Sequence, residues 1–100
     1  MSVVFIQEFK IVDGDLSTTN YDSVVAQLGD DPVDGLIAHT AGFDKDAGVF
    51  RIFDVWETKA QADQFMTQRL QPIIERMQTD NPTATPPERE GWYELHHVIS

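Results

Sequence analysis

Ala47 to Leu70, AGVFRIFDVWETKAQADQFMTQRL, decides the fold, because it joins an aromatic strand to a capped amphipathic helix with almost no loop between them. Phe50, Ile52, Asp54 and Trp56 alternate with Arg51, Phe53 and Val55, the period-2 pattern of a strand with two mostly apolar faces. Both faces therefore need cover. Thr58 and Gln61 have capping-box spacing, in which a hydroxyl and an amide side chain each satisfy a backbone N–H at a helix start.

Working outward, Val3 to Val12 reads as a first strand ended by the turn signal Asp13-Gly14-Asp15. Tyr21, Val24, Val25 and Leu28 then fall at helical spacing behind the candidate caps Ser17, Thr18 and Thr19, with Gly29 placed to close the helix. Asp30-Asp31-Pro32 breaks it, and Gly35 to Phe43 reads as a second strand turning through Asp44-Lys45-Asp46 into the third. The stripe Ala62, Phe65, Met66, Leu70, Ile73 and Met77 continues past Pro72, whose missing N–H predicts a kinked or restarted helix, with the restart favoured. Asp80 to Gly91 reads as a loop and Trp92 to Ile99 as a fourth strand. No repeat or linker divides the chain, so residues 1–100 are expected to form one domain.

The 100 residues are 41% hydrophobic, enough for a modest core. Without cysteine there are no disulfides, thiolate metal sites or thiol nucleophiles. No apolar run approaches the ~20 residues that span a bilayer, and the Met-Ser-Val-Val start lacks the features of a signal peptide. A cytoplasmic location is the expectation. Seven basic against seventeen acidic residues give a formal charge of −10, which repels phosphate backbones and anionic lipid. Nucleic acid and membranes are accordingly not expected as partners.

The order βαββαβ predicts an α+β ferredoxin-like sandwich, a four-stranded antiparallel sheet carrying both helices on one face. If Phe5, Phe9, Phe50, Ile52, Trp56 and Trp92 point away from the helices, a monomer would expose more contiguous apolar surface than soluble monomers usually tolerate. That face is expected to meet its own copy in a homodimer. Two sheets packed in this way enclose a barrel-like space suited to a small apolar or aromatic ligand.

Gly35-Leu36-Ile37-Ala38-His39, Arg51-Ile52-Phe53-Asp54-Val55-Trp56-Glu57 and the Phe65 to Pro72 segment resemble, in turn, the glycine-led second strand, the third strand and the following helix of the antibiotic biosynthesis monooxygenase-like group. The chain is therefore identified, over nearly its whole length, with the dimeric α/β barrel superfamily. That superfamily includes cofactor-free quinone-forming oxygenases, haem-degrading enzymes and polyketide cyclases, so the resemblance implies fold more strongly than activity. Its haem-degrading branch uses an Asn on the first strand, a Trp on the second helix and a haem-ligating His further along. Here the first strand offers Gln7 and Phe9, and Phe65 and Glu75 stand at the helix positions. A carboxylate does not replace the axial imidazole.

Strand parity groups Gln7 with Phe5 and Phe9, Asp54 with Phe50, Ile52 and Trp56, and His96 with Trp92 and Glu94, and this set is assigned to the cavity. His39 joins it on a face shared with Ile37 and Ala41, while His97 is expected to point towards the helices or fray. A neutral imidazole titrates near physiological pH, so His39 and His96 are the candidate proton-transfer residues, with Asp54 as an orienting carboxylate. Each histidine is alternatively a satisfied structural residue. Trp56 and Trp92, with Phe9, Phe50, Ile52 and Gln7, are the candidate substrate-binding residues, an aromatic wall with polar groups to fix orientation. No metal site is expected, since His39, His96 and Asp54 lie on separate strands with no ligand spacing.

Two function classes follow. One is a cofactor-independent monooxygenase on a small aromatic or quinol, in which deprotonation makes the carbanion that reduces dioxygen, or a cyclase or isomerase using the same base without oxygen. The other is a non-catalytic dimeric module that binds a small ligand.

Overall fold

The computed structural model describes residues 2–80 and 87–97. The chain runs β1 (Val3–Lys10), α1 (Thr19–Leu28), β2 (Leu36–Asp44), β3 (Val49–Trp56), α2 (Lys59–Phe65), a π-helical turn (Met66–Leu70), α3 (Gln71–Asp80) and β4 (Arg89–Glu94). The strands form one sheet in the order β2-β3-β1-β4, with every neighbouring pair antiparallel. This is the expected ferredoxin-like arrangement.

Thr58 starts α2 as its spacing predicts, its hydroxyl oxygen accepting from the Gln61 N–H at 3.2 Å. The Gln61 side chain does not reach back to the cap backbone; its carbonyl oxygen accepts from the Thr58 hydroxyl at 3.0 Å and its amide donates to Asp34 at 3.4 Å. Gly35, at φ +83°, lets this loop approach closely, because a Cβ there would collide with the Gln61 side chain.

The helix does not restart at Pro72. The Gln71 N–H bonds to the Met66 carbonyl, five residues back, so the turn before the proline is widened. A regular turn would drive the pyrrolidine ring into the carbonyl four residues earlier, at Gln68; the wider turn relieves that clash and lets the helix continue. The same turn presents Arg69, whose guanidinium donates to the carbonyls of Pro32 at 3.0 Å and of Leu28 and Asp31 at 3.3 Å. It thereby satisfies a carbonyl left open at the end of α1.

Val3, Phe5 and Trp56 pack with Ala62 of α2, and Val33, Leu36, Phe65, Met66 and Trp92 close around them. The centroids of Phe5 and Trp92 lie 4.4 Å apart and those of Trp56 and Phe65 5.5 Å apart. The face carrying Phe5, Phe9, Phe50, Ile52, Trp56 and Trp92 therefore lies beneath the helices, contrary to the expectation that it points away from them. Period-2 patterning separates the two faces of β1 and β3 but does not say which is covered, since the opposite set, Val4, Ile6, Phe53 and Val55, is equally apolar.

That outer face ends in an ionic ladder across all four strands. Arg51 on β3 donates to Glu8 on β1 at 2.6 Å and to Asp44 on β2 at 2.9 Å, and Arg89 on β4 reaches Glu8 at 3.3 Å. The Arg51 guanidinium, assisted by Arg89, holds the Glu8 carboxyl below its ordinary pKa. Arg89 also explains why β4 begins ahead of the expected Trp92: its guanidinium and the Glu88 N–H both bond to Glu8. The strand ends at Glu94, and the expected continuation to Ile99 lies partly outside the described residues.

Candidate functional site

His39 and Asp54 face each other as register partners on β2 and β3. The register shifts between Leu36, opposite Trp56, and Ala38, opposite Val55, so that Ile37 is inserted as a bulge. Ile37 is 45% exposed and does not share the core side with His39 as simple alternation predicts; Leu36 packs there instead. The insertion lets Leu36 and His39, three residues apart, both face the helix side.

His39 Nδ1 hydrogen-bonds the Asp54 carboxylate. The Asp54 side chain is only 10% exposed, and a carboxylate removed from water needs such a partner. The bond to Asp54, and its charge, raise the His39 pKa above 6.5 against the opposing effect of burial. An ionised carboxylate only accepts, so Nδ1 carries the proton, and in the neutral imidazole Nε2 is an acceptor.

That second nitrogen is occupied. Tyr21 on α1 places its Oη 2.6 Å from His39 Nε2. The two ring planes are nearly parallel, at 10°, with centroids 6.0 Å apart. Phe50 meets the Tyr21 ring edge-on at 5.5 Å, and Phe43 lies 4.9 Å beyond. Burial first, then the charges of Asp54 and Asp22, raise the Tyr21 pKa above 10.0. Tyr21 entered the sequence reading only as part of an amphipathic stripe. The signal was its phenol, since a buried tyrosine hydroxyl ordinarily takes a hydrogen-bond partner.

The other candidates divide. Phe9, Gln7 and Ile52 share the helix-side face with Asp54: Phe9 pairs with Phe50, and Gln7 pairs with Ile52 and donates to Glu90 at 3.0 Å. Trp92 is half-buried and Trp56 1% exposed in the core, where Trp56 Nε1 is buried without a partner among the described residues. His96 lies beyond the end of β4 and is exposed, as is His97. Since β4 and β2 are opposite sheet edges, three strand spacings of roughly 4.8 Å separate His96's strand from His39's. The structure joins His39 to Asp54 and adds Tyr21; it does not bring His96 to them.

Two concavities are present elsewhere. An open groove of about 640 Å³ lies on the outer side of the β2–β3 hairpin, along Thr40, Asp44 and Arg51, and a smaller one of about 150 Å³ lies between Pro32, Gln64 and Gln68. Neither is lined by His39, Asp54 or Tyr21. Among the described residues no group of three or more His, Cys, Asp or Glu side chains is placed to hold a metal ion, and no helix is long and apolar enough to cross a membrane.

No family model and no curated protein matches the chain. Solved structures do. The chain superposes on a Chloroflexus aurantiacus protein named for antibiotic biosynthesis monooxygenase with a TM-score of 0.69 at 12% identity, covering 100% of this chain and 98% of that one. A variant of SnoaB, a cofactor-independent oxygenase from Streptomyces nogalater, gives 0.64 at 14% identity over 98% and 96% of the two chains. Rv0793 from Mycobacterium tuberculosis gives 0.61 at 14% identity over 100% and 98%. At these identities the likeness establishes a common fold.

Proposed function

From a chain with the fold of antibiotic biosynthesis monooxygenase-like proteins, we propose a cofactor-independent monooxygenase acting on a small phenolic or quinol-type aromatic, with His39 as its base and Asp54 as the group that orients it. The observation that carries this reading is the imidazole held on a buried carboxylate at the helix-covered face of the sheet. Asp54 fixes the tautomer and stabilises the imidazolium formed when a proton is taken. Fold analogy with a cofactor-independent oxygenase supplies the oxygen chemistry.

In that chemistry the base removes a proton and the resulting carbanion donates its electron pair to dioxygen, forming a carbon–oxygen bond. The hydroperoxide takes up the proton, loses water and leaves a carbonyl, so one oxygen atom stays on the ring and the other departs as water. Phe50 and Phe9, with Gln7 and Ile52 on the same face, would border the substrate, while Trp56 and Trp92 pack the core at its other end. A homodimer belongs to the same reading. It would use the outer face, where Ile6, Phe53 and Val55 are only partly covered and Tyr93 is 50% exposed.

The test is dioxygen uptake on a dihydroxynaphthalene under isotopically labelled oxygen. Incorporation of one labelled atom, faster than autoxidation in buffer, is the expected result. Product formed without oxygen uptake would indicate a cyclase or isomerase, and binding without turnover a ligand-binding module.

A further inference from the structure

We propose that Tyr21 is the substrate-facing end of a proton relay through His39 to Asp54, so that the phenol, and not the imidazole, meets the substrate. This rests on the reading of His39 as the base. Both imidazole nitrogens are engaged, Nδ1 by Asp54 and Nε2 by Tyr21 Oη at 2.6 Å. A base with no free nitrogen receives a proton only through a partner it already holds. Asp54 is buried behind the ring, whereas Tyr21 stands on α1, a helix with no fully buried residue.

The step is balanced. The O–H bond of a phenolic or enolic substrate breaks as its proton passes to Tyr21 Oη, and the original Tyr21 proton passes to His39 Nε2. Tyr21 ends as it began, a neutral phenol, now donating to the substrate oxyanion, and the positive charge rests on an imidazolium paired with Asp54. Burial and the charges of Asp54 and Asp22 keep the Tyr21 hydroxyl protonated, which suits a group that relays a proton without holding the charge. The 2.6 Å contact with His39 Nε2 places the hydroxyl for transfer, and Phe50 and Phe43 beside it favour a flat aromatic substrate.

The experiment uses para-nitrophenol, whose anion is coloured, at a pH just above the titration of His39. Wild type should bind it as the anion, with His39 becoming protonated on Nε2 by nitrogen NMR. Tyr21→Phe should bind the anion about tenfold more weakly, the loss of one charge-assisted hydrogen bond, and a fluorotyrosine at position 21 should restore binding. Tyr21→Phe binding the anion as tightly as wild type, or tighter, means that the phenol displaces Tyr21 and meets His39 directly; that overturns the relay and leaves the base intact. Binding of only the uncharged phenol, or of neither form, overturns the relay as well. Oxygen uptake that depends on His39 would then still uphold the proposed function, and its absence would remove that too. In the free protein a neutral His39 protonated on Nε2 also contradicts the relay, because the chain of donors would run the wrong way.

Discussion

Asp54 lies opposite His39 while Trp56 lies opposite Leu36, and β2 meets both pairings only because Ile37 is inserted between Leu36 and Ala38. Continued from Leu36 without the insertion, the register would put Ala38 opposite Asp54 and His39 opposite Phe53 on the outer side of the sheet. The insertion thus lets Leu36 and His39, three residues apart, both lie on the helix-covered side. Deleting Ile37 removes the extra residue and leaves Leu36 opposite Trp56 and His39 opposite Asp54, so the raised His39 pKa should persist by NMR; a chain that folds with the shift lost would contradict this account of the bulge.

The pair also predicts a pH dependence of stability. His39 has a raised pKa in the folded protein, so its contribution is fully present below the unfolded value of 6.5 and is lost as pH rises through the folded one. As pH rises from below 6.5 through the raised folded-state pKa of His39, the Tm of wild type should fall relative to that of Asp54→Asn, which lacks the charged partner. Parallel curves for the two proteins would show that the pair contributes nothing to stability.

Arg69 offers a separate test of the helix. Its guanidinium binds three carbonyls that otherwise have no partner from this side chain, and hydrogen bonds from a charged donor contribute about 1.5–3 kcal/mol. Arg69→Ala should lower unfolding free energy by about 2 kcal/mol in urea titration. Arg69→Lys should recover only part of this, since an ammonium cannot span the three acceptors as the planar fork does.

Gly35 is constrained twice, by its φ of +83° and by the Gln61 side chain. Gly35→Ala should cost about 1–3 kcal/mol from backbone strain and more from the collision. In a double-mutant cycle Gln61→Ala should remove the collision with the end of the Gln61 side chain, leaving the strain and the close approach to the residue 61 Cβ. Full additivity of the two changes would refute the close approach.

The orientation of the sheet sorts two further substitutions. Ile52→Asp places a carboxylate under the helices and should destabilise the fold by several kcal/mol or neutralise itself. Val55→Asp, on the outer face, should instead dissociate the proposed homodimer with the fold retained, read by sedimentation. Wild type sedimenting as a folded monomer would exclude the dimer.

These cases mark how far the sequence could be read. The Ala47–Leu70 stretch specified its strand and helix because periodicity and the Thr58 cap are local properties, and the remaining elements followed in order. The covered face was not legible, because β1 and β3 are apolar on both sides and burial is decided by the helices. His39 was singled out, but its partner Tyr21 was not, since their contact joins a helix to a strand across the bulge at Ile37. His96 was placed by extending strand parity beyond Glu94, where the strand ends. Pro72 predicts an interruption from its own chemistry, because a widened turn leaves no mark in composition.

The most direct test of His39 as the base is the turnover of a dihydroxynaphthalene by wild type and His39→Ala, compared per folded molecule with Tm measured on the same samples. Loss of a general base lowers rate by about 10²–10⁴-fold, and a fall of that size in the folded variant is the predicted result. Turnover by His39→Ala at the wild-type rate, with only its Tm lowered, would show that the His39–Asp54 pair is structural and contradict the account.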